Sequence, residues 1–284
     1  MIKLSKTKVN KLRIKGRTPV LIGLVVLSIS IIFPLFFILM TSLKNNVDYS
    51  RDPFGLPDTL MLENYSSLLD NFNIGRAFLN SLFVCTITVA LVLLIAGMAG
   101  YALAKLSVPG GRFITGTFLG VMLFPGPVLI IPIYVLLARL GLIGDVKGLI
   151  LVYVASGIPF ATFFLTLVFK SIPKEITEAA QIDGAGFFRT LRSIIAPLGA
   201  SGVITLAIMQ FLGAWNELLF AFMILPSETS RLLTPTLATI GTRYVSDQPL
   251  VSAGLFISAS LPLIILMFAS KYIIEGLQVT IKKN

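Results

Sequence analysis

The residues 171–197 read S-I-P-K-E-I-T-E-A-A-Q-I-D-G-A-G-F-F-R-T-L-R-S-I-I-A-P, and this stretch decides how the chain is organised. It is charged and helix-patterned, whereas the sequence on both sides of it is strongly apolar. The apolar runs are long enough to cross a bilayer, which takes about 20 residues of helix. A structured polar segment between two membrane spans is expected to contact something in the aqueous phase. We call the residues 171–197 the polar segment.

The composition is that of a membrane protein. Of the 284 residues, 56% are hydrophobic and 13% are charged, and the mean hydropathy is +0.92. Soluble domains carry roughly 25% charged residues. The net charge of +10 does not indicate nucleic-acid binding, because the basic residues cluster before the first apolar run and form no basic helix with interleaved aromatic residues. The absence of histidine removes the commonest metal ligand and the usual proton carrier at neutral pH.

The apolar runs predict an all-α membrane protein with six transmembrane helices. Pro159 and Pro262 interrupt the fourth and sixth runs, and the Pro125-Gly126-Pro127 cluster breaks the third, either as a static kink or as a hinge. The predicted spans are 20–43, 78–104, 114–138, 149–169, 201–224 and 251–273. Around them we expect a basic tail 1–19, an extracytoplasmic segment 44–77, a membrane core 78–273 containing the loop 171–199, and a tail 274–284.

The distribution of basic residues predicts the orientation. Of the 23 lysines and arginines, all but seven fall in segments on the same side of the membrane as the N-terminus. Basic residues concentrate on the cytoplasmic side of membrane proteins. We therefore expect both termini and the polar segment to lie in the cytoplasm.

Within the polar segment, the sequence predicts two short helices. Ser171 and Pro173 are typical of a helix start, and Gly184 is typical of its end. A second helix is expected from about Phe187 to Ile195, with Pro197 stopping it.

One face of the first helix carries mostly small residues, so another surface could approach its backbone closely. The residues on this face are Ile176, Ala179, Ala180, Asp183 and Gly184. Two interpretations fit this pattern. The helix docks on another protein, or it lies on the membrane with Phe187 and Phe188 among the headgroups.

A family resemblance favours docking. E-A-A-Q-I-D-G at 178–184, followed after nine residues by I-I-A-P at 194–197, resembles the EAA motif of bacterial ABC-importer permeases. That motif has the form E-A-A-x-x-x-G, nine residues, then I-x-L-P, so only Ala196 departs from it. L-F-P-G-P from Leu123, I-P-I-Y from Ile131 and L-G-A-W-N-E-L-L from Leu212 resemble the carbohydrate-uptake branch, in particular the shorter permease of maltose-type systems. The tail after Gly276 does not resemble the family's usual G-L-x-x-G-A-V-K-G.

The resemblance implies a type I importer fold and a set of partners. These are a second permease, an ATPase dimer that carries ATP-Mg, and an extracytoplasmic sugar-binding protein. The chain itself has no phosphate-binding G-x-x-x-x-G-K-[ST] loop, so we expect it to bind no cofactor and not to be an enzyme. The resemblance places contact with the ATPase on Ile176, Glu178, Ala179, Ala180, Asp183 and Gly184.

Polar side chains within the fifth span are the candidates for the substrate pathway, because such groups are costly in a membrane. A lone tryptophan beside an amide and a carboxylate suits a sugar, which stacks on an aromatic ring and hydrogen-bonds through its hydroxyls. The alternatives are an interfacial anchor for the tryptophan and helix–helix hydrogen bonds for the others. The candidates are Gln210, Trp215, Asn216 and Glu217, and weaker ones are Asn80, Ser81, Thr86, Thr162 and Thr166.

Two other functions stay open on the sequence. One is a self-contained secondary carrier, which would need buried ionisable groups, and Glu217 is the only clear intramembrane carboxylate. The other is an ABC permease for a different polar solute such as a glycerophosphodiester.

Overall fold

A computed structural model describes the backbone of residues 17–244 and 247–281 and the side chains of 19–244 and 247–272. These residues form helices and connecting turns, with no strand among them, which confirms the all-α prediction. The α-helices are, in chain order, α1 (Arg17–Ser42), α2 (Asn46–Arg51), α3 (Glu63–Asn71), α4 (Ile74–Lys105), α5 (Gly111–Val121), α6 (Ile130–Arg139), α7 (Val146–Ser171), α8 (Lys174–Ile182), α9 (Phe187–Thr190), α10 (Ala196–Leu198), α11 (Ala200–Trp215), α12 (Leu219–Ile224), α13 (Leu233–Arg243) and α14 (Gln248–Ile281). A 3-10 turn, Gly126–Leu129, leads into α6, and a π-helical turn, Leu191–Ile195, joins α9 to α10.

Four helices in the described part of the chain, α1, α4, α7 and α14, are long and apolar enough to span a membrane. Two bent pairs of helices are long and apolar enough only when each pair is taken together. Gly111–Val121 meets Gly126–Arg139 at 89°, and Phe187–Leu198 meets Ala200–Trp215 at 86°. Counting each bent pair as one crossing gives six spans, the predicted number, but the second pair covers 187–215 rather than the predicted 201–224.

The third predicted span, 114–138, is therefore not one helix. Pro125 and Pro127 have no backbone N–H to donate, and proline disfavours the α-helical conformation at the residue before it. The helical hydrogen bonds stop at Phe124, whose N–H donates to the Val121 carbonyl at 3.1 Å. The predicted break at this proline cluster is confirmed.

One other predicted boundary is wrong. The continuous helix expected over 201–224 ends at Trp215, where the apolar run goes on but the helical hydrogen bonding does not. Pro159 and Pro262 lie inside unbroken helices, in keeping with their predicted place inside single spans. The basic tail 1–19 lies almost wholly outside the described residues, and so do the side chains of the tail 274–284.

By its internal contacts the chain divides into two compact units, one containing the described residues up to Asn71 with Arg243–Ile257, and the other containing the rest. In the first unit, the segment after α1 is folded around a buried lysine. Lys44 is fully buried, and its Nζ donates to the Asp52 carbonyl at 2.6 Å. Asn64 Nδ2 donates to the carbonyls of Ser42 and Lys44, both at 2.9 Å, which holds α3 against this turn.

In the second unit, the core lies between α4 and α7, with α11 and the polar segment packed against it. The buried core side chains are Val92, Ala96, Tyr101, Val154, Ala161, Phe164, Leu165, Val168, Phe169, Ile172, Ile195 and Leu206. Gly100 allows α4 and α7 to approach closely, because a Cβ there would lie 3.0 Å from Leu165 Cβ and 3.2 Å from the backbone nitrogen of Thr166. Gly97, one turn earlier, has nothing within 4 Å of such a Cβ.

This difference predicts opposite effects of the same substitution. Gly100→Ala should lower the melting temperature of the detergent-purified protein, by the equivalent of about 1–3 kcal/mol, because a methyl group is forced against the α7 backbone. Gly97→Ala should leave the melting temperature unchanged or raise it, since alanine favours helix over glycine by up to about 1 kcal/mol. Equal melting temperatures for the two variants would contradict the packing of α4 on α7 described above.

Candidate functional site

The helix α8 ends where the sequence predicts. Gly184 has φ of +75°, in the left-handed region that glycine adopts at helix ends. The Gly184 N–H donates to the Gln181 carbonyl at 3.0 Å, and the Ala185 N–H donates to the Ala180 carbonyl at 2.9 Å. The predicted start is wrong in one respect, because Ser171 does not cap α8. It is the last residue of α7, and its hydroxyl donates to the Val168 carbonyl at 2.6 Å.

The small-residue face of α8 does not point wholly outward. Ala180 is 5% exposed and Thr177 is 5% exposed, and Ile176 packs partly buried against the core. The side of α8 that was predicted to contact a partner therefore turns partly towards the chain's own core. A stripe of small residues allows close packing against the same chain as well as against another protein. Of the residues predicted to contact the ATPase, Glu178, Ala179, Asp183 and Gly184 are exposed.

Two large apolar side chains of the polar segment, Ile182 and Phe188, are exposed. On the sequence alone, neither of them was assigned to the contact with a partner. Ile182 is 86% exposed and Phe188 is 70% exposed. The neighbouring Phe187 is half-buried, with its ring 4.9 Å from that of Tyr101. The alternative interpretation, in which both phenylalanines lie among headgroups, therefore does not hold for Phe187.

The polar segment is tied to the ends of the two long helices. Lys105, the last residue of α4, donates from Nζ to the Ile172 carbonyl, which directly follows α7. Ile172 and Ile195 are both buried in the core, at the two sides of the segment. Pro197 does not stop the second short helix, since it occupies the first turn of α10, where a missing N–H costs nothing, and the bend follows at Gly199.

A cavity of about 260 Å³ lies among α4, α7, α11, α12 and the 3-10 turn. Its lining residues are Thr88, Gly126, Tyr153, Ser156, Gly157, Phe160, Gln210, Gly213, Ala214, Glu217 and Phe220. Of the predicted substrate-pathway residues, Gln210 and Glu217 line this cavity, whereas Trp215 and Asn216 do not.

The cavity contains polar groups with hydrogen-bonding capacity to spare. Thr88 is 1% exposed, and its hydroxyl has no hydrogen-bond partner among the described residues. Gln210 Nε2 makes only a long contact, 3.5 Å, to the Gly157 carbonyl. Thr88, Tyr153 and Ser156 were missed from the sequence, because nothing in an apolar run distinguishes Thr88 from the exposed Thr86 that was named instead.

Glu217 is fully engaged within the chain. Its carboxylate accepts hydrogen bonds from the Tyr153 hydroxyl at 2.7 Å, the Phe220 N–H at 2.9 Å and the Ala221 N–H at 3.0 Å. The two amides belong to the first turn of α12, where a negative charge is favourable. Glu217 therefore starts α12 and joins it to α7, which matches the helix–helix alternative. Asn216 hydrogen-bonds to the last turn of α11, where its Nδ2 donates to the Leu212 carbonyl at 2.8 Å.

Trp215 is a packing residue. It is 2% exposed, with its ring stacked on Phe211 at 5.7 Å and met edge-on by Phe78 at 5.4 Å. Its Nε1 donates to the Ser258 carbonyl at 3.1 Å. That carbonyl needs a partner, because Pro262, four residues later in α14, has no N–H to donate to it. Stacking of a sugar on Trp215 is not available in this conformation.

Three of the five weaker candidates, Asn80, Ser81 and Thr166, are also engaged within the chain, and the Thr166 hydroxyl donates to the Thr162 carbonyl at 2.7 Å. Asn80 Nδ2 donates to the carbonyls of Thr229 and Arg231, both at 3.2 Å, and the Ser81 hydroxyl accepts from the Leu233 N–H at 2.8 Å. Both residues thus hold the loop between α12 and α13 against α4. No group of three or more His, Cys, Asp or Glu side chains that could hold a metal occurs among the described residues.

Comparison with known proteins gives concordant matches. The sequence model of a family described as "Binding-protein-dependent transport system inner membrane component" matches residues 93–279. The chain is 37% identical over 224 residues to the diacetylchitobiose uptake system permease protein NgcG of Streptomyces coelicolor, covering 79% of this chain and 74% of that protein. It is 29% identical over 248 residues to the trehalose transport system permease protein SugB of Mycobacterium tuberculosis, covering 87% and 90% of the two chains.

A solved structure shares the fold. It is a bacterial ABC transporter involved in the import of the acidic polysaccharide alginate, with a TM-score of 0.78 at 20% identity over 96% of this chain and 99% of that one. At this identity the likeness concerns the fold alone.

The contact between Trp215 and Ser258 predicts a non-additive pair of substitutions. Trp215→Phe keeps an aromatic ring but leaves the Ser258 carbonyl without a donor, at a cost of about 1–3 kcal/mol. Pro262→Ala restores the N–H of α14, so Trp215→Phe should cost less in that background. Melting temperatures of the four proteins in the cycle measure the difference. Additive effects would show that the Trp215 N–H does not compensate for Pro262.

Proposed function

Because the chain belongs to the family of inner membrane components of binding-protein-dependent transport systems, we propose that it translocates a sugar or oligosaccharide. It is a multi-pass protein of the cell membrane, and in this proposal it is the permease subunit of an ATP-driven importer that works by alternating access. The observation that carries the proposal is the cavity among α4, α7 and α11, whose largely apolar wall carries a few polar groups, among them a buried Thr88 hydroxyl that has no partner among the described residues.

The chemistry of the cavity favours a neutral, hydroxyl-rich solute. Thr88, Ser156 and Gln210 offer uncharged hydrogen-bonding groups, and the one carboxylate, Glu217, already accepts three hydrogen bonds. The residues that line the cavity include no lysine or arginine to neutralise a phosphate. A sugar therefore fits better than a glycerophosphodiester. NgcG and SugB, which resemble this chain, are named for diacetylchitobiose and trehalose.

The proposal requires partners. A separate ATPase pair would bind ATP-Mg, a second permease would complete the pathway, and an extracytoplasmic binding protein would deliver the sugar. Both termini and the polar segment would lie in the cytoplasm, where the exposed Ile182 and Phe188, with the acidic Glu178 and Asp183 near them, would contact the ATPase.

The helix α7 would carry movement from the ATPase to the cavity. It runs without a break from Tyr153 in the cavity wall to Ser171 at the polar segment, a distance of about 27 Å at 1.5 Å per residue. The hydrogen bond from Lys105 to the Ile172 carbonyl joins α4 to the same end. A displacement of the polar segment would thus move two of the helices that line the cavity.

The Thr88 hydroxyl provides a test of the substrate site. Thr88→Val, nearly the same in shape, should raise the KM for sugar uptake by about three- to tenfold, the value of one neutral hydrogen bond. Thr162→Val is the matched control, because Thr162 is equally buried, also has no partner for its hydroxyl among the described residues, and does not line the cavity. Uptake into proteoliposomes of the assembled transporter measures both. An unchanged KM for Thr88→Val would remove Thr88 from the pathway.

The exposed Ile182 provides a test of ATPase docking. We expect a nucleotide-binding subunit to co-purify with this chain in detergent, and Ile182→Asp should weaken that association by about tenfold or more, as the loss of a buried apolar anchor does. Gln181→Asp adds the same charge to the same turn of α8 and should have a much smaller effect.

Equal retention of the ATPase by both variants would show that Ile182 is not in the interface. Gradient-driven uptake by this chain alone in liposomes would contradict the importer proposal and favour a secondary carrier.

A further inference from the structure

A second cavity, of about 470 Å³, lies away from the first, where α4, the start of α5 and the end of α7 come together. Two cationic side chains line it, Arg112 from α5 and Lys170 from α7. The remaining lining includes the hydroxyl residues Ser107 and Thr115 and the apolar Leu103 and Leu119. Nothing in the proposed transport of a sugar uses this cavity.

The two cations are without partners in the part of the chain that the structure describes. Neither Arg112 nor Lys170 forms an ion pair with a described carboxylate, and no acidic residue lines the cavity. Both side chains are exposed at the cavity, and an anion bound there would be attracted by two positive charges. Arginine and lysine are the side chains that bind phosphate oxygens through charge-assisted hydrogen bonds.

The walls and position of the cavity indicate which anion it holds. Lys105 ends α4 and Lys170 is the penultimate residue of α7, so the cavity lies at the ends of two membrane-spanning helices. Leu103 and Leu119 present apolar surface beside the cations. A free phosphate would gain nothing from these leucines, whereas a phospholipid would place its phosphate on the cations and its acyl chains along the apolar side chains.

The hydroxyl residues are compatible with a headgroup that carries alcohols. The Thr115 hydroxyl donates to the Gly111 carbonyl at 2.9 Å, which leaves its oxygen free to accept a hydrogen bond. A glycerol headgroup has hydroxyls to donate, and a choline headgroup does not. Choline also adds a positive charge, which would be repelled by Arg112 and Lys170.

We propose that this cavity binds the headgroup of an anionic phospholipid of the phosphatidylglycerol type, from the leaflet on the side of the polar segment. Lys170 immediately precedes Ser171, so the bound lipid lies beside the end of the helix from which the polar segment continues. The proposal does not depend on which solute the protein moves, and a failed sugar assay would leave it intact.

Lipid binding to the detergent-purified transporter tests the proposal. Labelled phosphatidylglycerol is titrated into wild-type protein and into the double variant Arg112→Gln/Lys170→Gln. The double variant should bind about thirtyfold more weakly, since each basic residue near an anionic lipid contributes about fivefold. Phosphatidylcholine should bind weakly to both proteins. Inorganic phosphate at millimolar concentration should not displace the labelled lipid.

The matched control is Lys271→Gln. Lys271 is an exposed cation at the C-terminal end of the apolar part of α14, another membrane-spanning helix, and it does not line the cavity. Its loss should therefore change the affinity for the lipid by less than twofold. The exchange Arg112→Lys/Lys170→Arg keeps both charges and should retain affinity within about threefold, which separates charge loss from misfolding. Unchanged affinity in the double variant, an equal loss with Lys271→Gln, or displacement by inorganic phosphate would overturn the proposal.

Discussion

The structure depends on one constraint: a backbone N–H or carbonyl within the membrane needs a hydrogen-bond partner from the protein. Among the described residues, three prolines (Pro34, Pro159 and Pro262) lie inside long helices and two sharp bends separate helices, and each of these frees backbone groups. The Trp215 indole donates to the carbonyl that Pro262 leaves free, and the Glu217 carboxylate accepts from the first amides of α12. At Pro262 and at the start of α12, side chains thus replace the missing helical hydrogen bonds.

This constraint changes the meaning of polar residues in apolar segments. In the sequence, Trp215, Asn216 and Glu217 have the chemistry of a sugar site. In the structure all three hydrogen-bond to backbone groups, Trp215 in α14 and the other two at the junction between α11 and α12. Thr88, Ser156 and Gln210 are left for a solute. Burying a polar side chain in a membrane span costs free energy, but a hydrogen bond to a freed backbone carbonyl offsets that cost as well as a hydrogen bond to a substrate does.

The sequence could predict the features that are local in origin. The apolar runs, the break at Pro125 and the left-handed Gly184 follow from hydropathy and backbone preference alone. It could not predict the end of α11, because the residues 218–224 continue the apolar run and only the contacts of Glu217 show the new helix. Nor could it tell which side of α8 faces the core, since Ala180 suits close packing against its own chain or against another.

The same contacts that stabilise the bends also determine which parts can move together. The helix α7 continues through Pro159 and joins the cavity to the polar segment as one body, with α4 attached by Lys105. The residues after the Gly199 bend and after Trp215 are joined instead by short breaks, each closed by a few hydrogen bonds. A force on the polar segment would therefore shift α4 and α7 as a unit, and changes of shape would concentrate at the breaks around the cavity. The polar residues at these breaks would then limit how far the cavity can open.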